Sequence, residues 1–125
     1  MRPVEASIVP RDPEDNSDWD LDGSVPDVIV ELRCPQLSSS APFTARTEEV
    51  SSLSPKWTTG ECRVEGGALV DKVTEIDVID VDNFFDDPIG TITHKFTKEE
   101  LEQGTVTLSH PGHVNSLILQ LTRVP

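Results

Sequence analysis

Two clusters of aspartates combine a residue type and a spacing that could bind a metal ion. The first runs Asp18-Trp-Asp20-Leu-Asp22-Gly23 and is followed by Asp27, and the second runs Asp80-Val-Asp82-Asn-Phe-Phe-Asp86-Asp87. Alternate residues of an extended or turning chain can place carboxylates around one centre, and calcium takes about six to eight oxygen ligands at loose geometry. Without a cation, carboxylates this close together would repel one another strongly. The two clusters therefore predict a calcium site.

The first cluster matches only half of a helix-loop-helix calcium loop. Asp18, Asp20 and Asp22 followed by Gly23 fit the first half of that pattern, with glycine at the sharp turn. The position of its final bidentate glutamate is occupied by Ile29, and nearby prolines exclude the flanking helices. The residues fit calcium chemistry, but the fold around them must be a different one. Taken alone, the run fits an acidic, solvated loop equally well.

Composition limits the fold and the partners. The chain has 125 residues, which suits one domain spanning residues 1–125. Its net charge is −13, with 10 basic and 23 acidic residues, so a nucleic-acid partner is excluded because no basic surface exists to neutralise phosphates. No apolar run is long enough to span a membrane, so we expect a protein that is not transmembrane.

The two cysteines and the first residues bear on the compartment. Cys34 and Cys62 are too few for a disulfide scaffold, and two reduced thiols are the favoured interpretation, with a single disulfide as the alternative. The first residues contain no continuous apolar stretch of the kind found in signal peptides. We therefore expect a cytoplasmic protein that is peripheral to a membrane when it docks there.

Alternating short apolar runs predict an all-β fold. The strongest strand predictions are residues 28–34, 74–79 and 116–122, and weaker ones are residues 4–9, 43–50, 58–64, 89–96 and 105–108. Seven or eight short strands at this spacing are typical of an antiparallel β-sandwich. Thr97 to Glu100 forms a capping-box pattern and Gly104 a helix stop, so we predict one short helical turn near residues 98–103. Gly66-Gly67 is interpreted as a turn, and Trp57 as a core residue.

Three stretches are similar to motifs of the C2-domain family. The run Ser24-Val-Pro-Asp27-Val-Ile-Val-Glu-Leu resembles the start of the family's second strand. The run Ser52-Leu-Ser-Pro55-Lys-Trp57 resembles its Pro-Trp turn, and residues 76–90 resemble its third, calcium-binding loop. The order and separations agree with the family. The resemblance implies an eight-stranded C2-like β-sandwich that binds calcium ions through loops at one end.

The resemblance also implies a ligand set. Asp27 would be the second ligand of loop one, and Asp80 and Asp82 the central pair of loop three. Asp87 is the best match for the distal ligand, with Asp86 as the alternative. The first ligand of loop one is either Asp20 or Asp22, because the local length does not match the family. The family's lysine-rich groove is missing, since the strand before the Pro-Trp turn reads Thr-Ala-Arg-Thr-Glu-Glu-Val over residues 44–50.

These features predict a binding module and not an enzyme. We expect calcium-dependent docking to a phospholipid membrane surface, with Phe84 and Phe85 at the apex of loop three as the contact residues. The alternative for the two rings is that one packs beneath the loop. The alternative function is a protein-interaction or assembly domain in which calcium is purely structural. His110-Pro-Gly-His113 is interpreted as a solvated turn, in preference to a site for a transition metal.

Overall fold

The computed structural model describes residues 1–11, 25–82 and 86–124. Within these ranges the chain forms eight strands and two short helices, which confirms the predicted all-β sandwich. The strands are β1 (Arg2–Ile8), β2 (Asp27–Cys34), β3 (Phe43–Arg46), β4 (Val50–Ser51), β5 (Thr74–Asp80), β6 (Asp87–His94), β7 (Thr105–His110) and β8 (Val114–Gln120). The helices are α1 (Gly66–Asp71) and α2 (Lys98–Gln103).

The strands form two antiparallel sheets. The smaller sheet has the order β1-β8-β7, and the larger sheet has the order β3-β2-β5-β6, with β4 also paired to β2. Strands β2 and β5 form the centre of the larger sheet, in a register that runs from Val28 opposite Asp80 to Arg33 opposite Glu75. This register places the start of β2 and the end of β5 at the same end of the sandwich.

The core lies between the two sheets and follows the two-residue period of the strands. Along β5, Ile76 and Val78 are fully buried, whereas Glu75 is exposed and Asp77 half-buried on the other face. Each apolar side chain buried in this way stabilises the fold by roughly 1.5–3 kcal/mol. Trp57 is buried as predicted, and its indole Nε1 donates to the carbonyl of Val28 at 3.2 Å.

The helical turn near residues 98–103 is confirmed as α2. The Thr97 hydroxyl accepts from the Glu100 amide at 3.2 Å, the Glu100 carboxylate accepts from the Thr97 amide at 2.9 Å, and Gly104 ends the helix at φ 79°. The interpretation of Gly66-Gly67 as a turn is wrong, because these glycines begin α1. Helix α1 buries Leu69, whose carbonyl accepts from the Phe96 amide at 3.1 Å, so tertiary packing outweighs the low helix propensity of glycine.

Two strand predictions between residues 43 and 64 need correction. The predicted strand over residues 43–50 is divided into β3 and β4. At Thr47, between them, the side-chain hydroxyl accepts from the Val30 amide and the Thr47 amide donates to the Val30 carbonyl. The predicted strand over residues 58–64 does not form. Thr58 and Thr59 donate their amides and hydroxyls to the Glu48 carboxylate, and Gly60 has a φ of 92°, which an extended strand cannot contain.

Cys34 and Cys62 form a disulfide, so the favoured interpretation of two reduced thiols is wrong. Both cysteines are fully buried and lie 28 residues apart in the chain. The sequence spacing could not reveal the pairing, because the end of β2 meets residue 62 only in the folded chain. Disulfides persist mainly in oxidising compartments. The cysteines therefore do not support the expected cytoplasmic location.

Breaking the disulfide should lower the stability without changing the fold. Closing a loop over 28 residues removes chain entropy from the unfolded state, which corresponds to roughly 3–4 kcal/mol. We expect reduction by a dithiol to lower the free energy of unfolding in urea by this amount. The Cys34→Ala/Cys62→Ala variant should show the same loss and no further response to the dithiol. A wild type equally stable in both redox states would contradict the pairing.

Glu48, between β3 and β4, holds the irregular segment after Trp57 through hydrogen bonds to its carboxylate. Desolvation alone would raise the pKa of the Glu48 carboxyl, but the hydrogen bonds from the Thr58 and Thr59 amides outweigh it and lower the pKa. A group with a lowered pKa in the folded state contributes stability above its ordinary pKa, and this stability is lost as the pH falls through the folded value. The contribution is therefore fully present at neutral pH.

Replacing Glu48 should produce a pH-dependent loss of stability. We expect Glu48→Gln to lower the free energy of unfolding at pH 7 by about 1–2 kcal/mol, because a charged acceptor of several hydrogen bonds becomes neutral. The difference from wild type should shrink as the pH falls through the lowered pKa of the native carboxylate, where Glu48 protonates. Glu49→Gln, at the exposed neighbouring position, is the control and should change little. A loss independent of pH in urea titrations would contradict this assignment.

Candidate functional site

Asp27 and Asp80 are in direct contact at one end of the larger sheet. Asp27 begins β2 and Asp80 ends β5, and the two strands are antiparallel neighbours. The Asp27 amide donates to Asp80 Oδ1 at 3.0 Å, and the Val81 amide donates to the Asp27 carbonyl at 2.8 Å. The structure thus brings together one residue from each of the two aspartate clusters.

Asp80 is a buried carboxylate. Its exposed fraction is 1%, because it follows Ile76 and Val78 on the core-facing side of β5. Burying a carboxylate costs several kcal/mol unless hydrogen bonds and opposite charge compensate it. The Asp27 amide supplies one such hydrogen bond. A bound cation would stabilise the charged form of this buried carboxylate further.

Asp87 and Asp82 lie at the same end as Asp80. Asp87 begins β6 directly opposite Asp80, and the β5–β6 pairing has a register shift between Val78 and Ile79. Directly opposed residues of antiparallel strands have Cα atoms roughly 4.5–5.5 Å apart, so the two carboxylates can approach one centre. Asp82 follows two residues after the end of β5 and is half-buried.

Asp86 has a different partner. Its side chain is 45% exposed, and one carboxylate oxygen lies 3.9 Å from a guanidinium nitrogen of Arg46 on β3. Arg46 also contacts Glu31 at 3.2 Å. Of the two alternatives for the distal ligand, Asp87 therefore has the position beside Asp80, whereas Asp86 extends towards the outer face of the sheet.

Several predicted site residues lie outside the described part of the chain, namely Asp20, Asp22, Phe84 and Phe85, together with Asp18. Among residues 1–11, 25–82 and 86–124, no group of three or more histidine, cysteine, aspartate or glutamate side chains forms a metal-binding cluster. The contact between Asp27 and Asp80 brings together oxygen atoms of the hard type that calcium prefers. Calcium binding by these residues stays a prediction.

The outer face of the larger sheet carries paired charges. Arg33 on β2 forms ion pairs with Glu31 and Glu75, each at 3.1 Å, and with Asp77. The hydrogen bond with Asp77 is the main cause of a raised pKa for the Arg33 guanidinium. In many surface sites an arginine would be available to an anionic ligand, but here carboxylates of the same face surround it. The sequence lacks the lysine-rich groove of the C2 family, and in the structure Arg33 on this face is paired with carboxylates.

The turn after β7 is packed against β6 and is more than a solvated loop. His113 Nδ1 donates to the carbonyl of Ile89 at 2.9 Å, and the rings of His110 and His113 meet edge to face with centroids 4.5 Å apart. Gly90 makes room for this packing, since a β-carbon there would lie 3.3 Å from Cγ of His110. The predicted turn is confirmed, with residues 111–112 exposed at its tip, but its two histidines are half-buried and pack beside the first residues of β6.

Ser51 is a site residue that the sequence interpretation missed. It pairs with Asp27 in the β2–β4 register, and its hydroxyl donates to Asp27 Oδ1. The resemblance to the Pro-Trp turn begins at Ser52 and leaves Ser51 outside it. A hydroxyl-bearing residue one position before the Pro-Trp turn motif is the single sequence signal that could have indicated a partner for Asp27.

An open cleft of about 800 Å³ lies at the other end of the sandwich. Its lining includes Met1, Cys62, Leu69, Leu101 and Leu121. The far end of β2, at Cys34, is about 23 Å from Asp27 at the rise of an extended strand, so the cleft is separate from the aspartates. No helix within the described residues is long and apolar enough to cross a membrane.

Of the comparisons with known proteins, the one with solved structures identifies the fold. No family model matches the sequence, and no curated protein sequence matches it either. The backbone, however, is similar to a solved structure of a C2 domain with a TM-score of 0.58 and 18% sequence identity. The similarity covers 93% of this chain and 87% of that one. With the two-sheet topology described above, it establishes that the chain has a C2-like β-sandwich fold.

Proposed function

We propose that this protein is a calcium-binding C2-like module that docks to a phospholipid surface through the loops at the Asp27–Asp80 end. The observation that carries the proposal is the buried Asp80 carboxylate, 1% exposed and bonded to the Asp27 amide at the end of a C2-like sheet. Burying a carboxylate to this extent lowers the free energy of unfolding unless a partner compensates the charge. A C2-like fold is usually that of a non-catalytic binding module.

The residues that would hold calcium come from both aspartate clusters. Asp27, Asp80, Asp82 and Asp87 would contribute from the described part of the chain, and Asp20 or Asp22 from the segment before β2. A bound calcium ion would supply positive charge and open coordination positions for an oxygen ligand. Within the protein, the Asp27 amide holds Asp80, and the β5–β6 pairing holds Asp87 beside it.

Docking to lipid would depend on the loops and not on the sheet. The net charge of −13 would become about −9 with two calcium ions, so general attraction to an anionic membrane stays weak. Arg33 and Arg46 on the outer face are already paired with carboxylates. Calcium bridging at the loops and insertion of Phe84 and Phe85 would then provide the attachment.

A protein-interaction domain with structural calcium is the second candidate. The ion-paired outer face favours this candidate. Arg33 and Arg46 on this face are both paired with carboxylates, so neither is available to bind a lipid phosphate. The two candidates share the calcium site and differ in the surface that the loops contact. Lipid binding separates them.

Calcium should stabilise the fold through Asp80. At about 100 times the dissociation constant, binding raises the free energy of unfolding by roughly 2.7 kcal/mol, so the melting temperature should be higher in calcium than in chelator. Asp80→Asn should remove most of this difference while leaving the chelated protein as stable as wild type or more so, because a buried charge is removed. Asp82→Asn should likewise weaken calcium binding.

The matched control is Asp71→Asn, which removes the same charge at an exposed position at the end of α1. It should leave the response to calcium intact. If Asp71→Asn and Asp80→Asn reduced the response equally, calcium would act by general screening and not at a defined site. An unchanged wild-type melting temperature between chelator and millimolar calcium would refute the calcium site altogether.

Sedimentation with phosphatidylserine-containing liposomes tests the docking surface. Wild type should co-sediment in calcium and not in chelator, and Phe84→Ser/Phe85→Ser should abolish co-sedimentation with calcium affinity within a few-fold of wild type. The reason is that burying each ring contributes about 1.5–3 kcal/mol to docking. A wild type that binds calcium but ignores these liposomes would favour the protein-interaction candidate.

A further inference from the structure

Ser51 and Asp27 form a hydrogen-bonded pair at the edge of the candidate site. They face each other in the short β2–β4 pairing, and the Ser51 hydroxyl donates to Asp27 Oδ1. The same aspartate donates its amide to Asp80 Oδ1 at 3.0 Å. Two hydrogen bonds therefore hold Asp27: its amide donates to the Asp80 carboxylate, and its own carboxylate accepts from the Ser51 hydroxyl.

The backbone around Ser51 is fixed by contacts with both sheets. The Ser52 amide donates to the Pro26 carbonyl at 3.1 Å, next to Asp27. Further along, the carbonyls of Leu53 and Pro55 accept from amides of β1 at 2.8 and 3.0 Å. The buried Trp57 then closes the segment with its bond to the Val28 carbonyl. A hydroxyl on this backbone can restrict an aspartate that would otherwise rotate.

The hydrogen bond has a specific consequence for a carboxylate that binds a cation. It engages one oxygen of Asp27 and selects one side-chain orientation, while the other oxygen keeps its full capacity to bind. An exposed aspartate without such a partner loses rotational freedom when it binds an ion, and this loss weakens the binding. Residues that orient metal ligands in this way typically contribute about 10- to 100-fold to affinity.

We propose that Ser51 is a positioning residue for Asp27, and that its hydroxyl raises the calcium affinity of the site by holding the Asp27 carboxylate in its binding orientation. The inference rests on the proposed calcium function. It concerns a residue outside the aspartate clusters, on a strand of only two residues that pairs with β2 where that strand begins.

Ser51→Val and Ser51→Thr provide a matched pair for the test. Valine and threonine have nearly the same shape and both favour strands, so the variants differ mainly in the hydroxyl. Calcium affinity measured by calorimetry should fall about ten-fold in Ser51→Val and stay within about two-fold of wild type in Ser51→Thr. Ser54→Ala, at an exposed position of the same segment, should behave as wild type.

An orienting role is distinguished from a general structural role by repeating the pair in an Asp27→Ala background, which removes the acceptor of the Ser51 hydrogen bond. The Ser51→Val and Ser51→Thr affinities should then coincide, because the carboxylate that the hydroxyl orients is gone. A difference that persists in this background would assign Ser51 a structural role and overturn the inference, as would equal or tighter binding by Ser51→Val in the wild-type background. In each of these outcomes the proposed function stands. Only a wild type that binds no calcium would overturn both.

Discussion

The antiparallel pairing of β2 with β5 is the constraint on which the other features of this domain depend. It joins the two central strands of the larger sheet over six residue pairs, from Val28 opposite Asp80 to Arg33 opposite Glu75. One face of the pair buries alternate apolar residues against the smaller sheet, and the other carries the charges around Arg33. The same register brings Asp27 to Asp80. Stability and the candidate site therefore depend on a single alignment.

The segment from residue 35 to residue 62 contacts both ends of β2. The disulfide joins it to the far end of β2, and the pairing of β4 with Asp27 and Val28 joins it to the near end. Between these points β3 extends the sheet, and Trp57 fills the core below. The backbone around Glu48 and Gly60 is irregular and is held by the hydrogen bonds of the Glu48 carboxylate.

The sequence predicted most of the fold because the strand signals were strong and local. The apolar alternation over residues 74–79 and the capping pattern from Thr97 to Gly104 require no knowledge of the rest of the chain. The errors arose where distant contacts decide the conformation. Helix α1 forms through the packing of Leu69, and residues 58–64 follow Glu48 in place of a strand. The pairing of Cys34 with Cys62 is likewise visible only after folding. For the candidate site, the sequence singled out Asp27 and Asp80, which the structure brings into contact, whereas Ser51 required the β2–β4 register.

The burial of Asp80 makes the domain unequally tolerant of changes in chain length. Side chains of a strand alternate with a period of two, so inserting or deleting one residue between Ile76 and Asp80 would move the aspartate from the core-facing side to the solvent-facing side. The same change would place an apolar residue among the charges of the outer face. The β2–β5 register itself involves only residues of these two strands. In a library of single-residue insertions, those between Ile76 and Asp80 should therefore be depleted from the folded fraction.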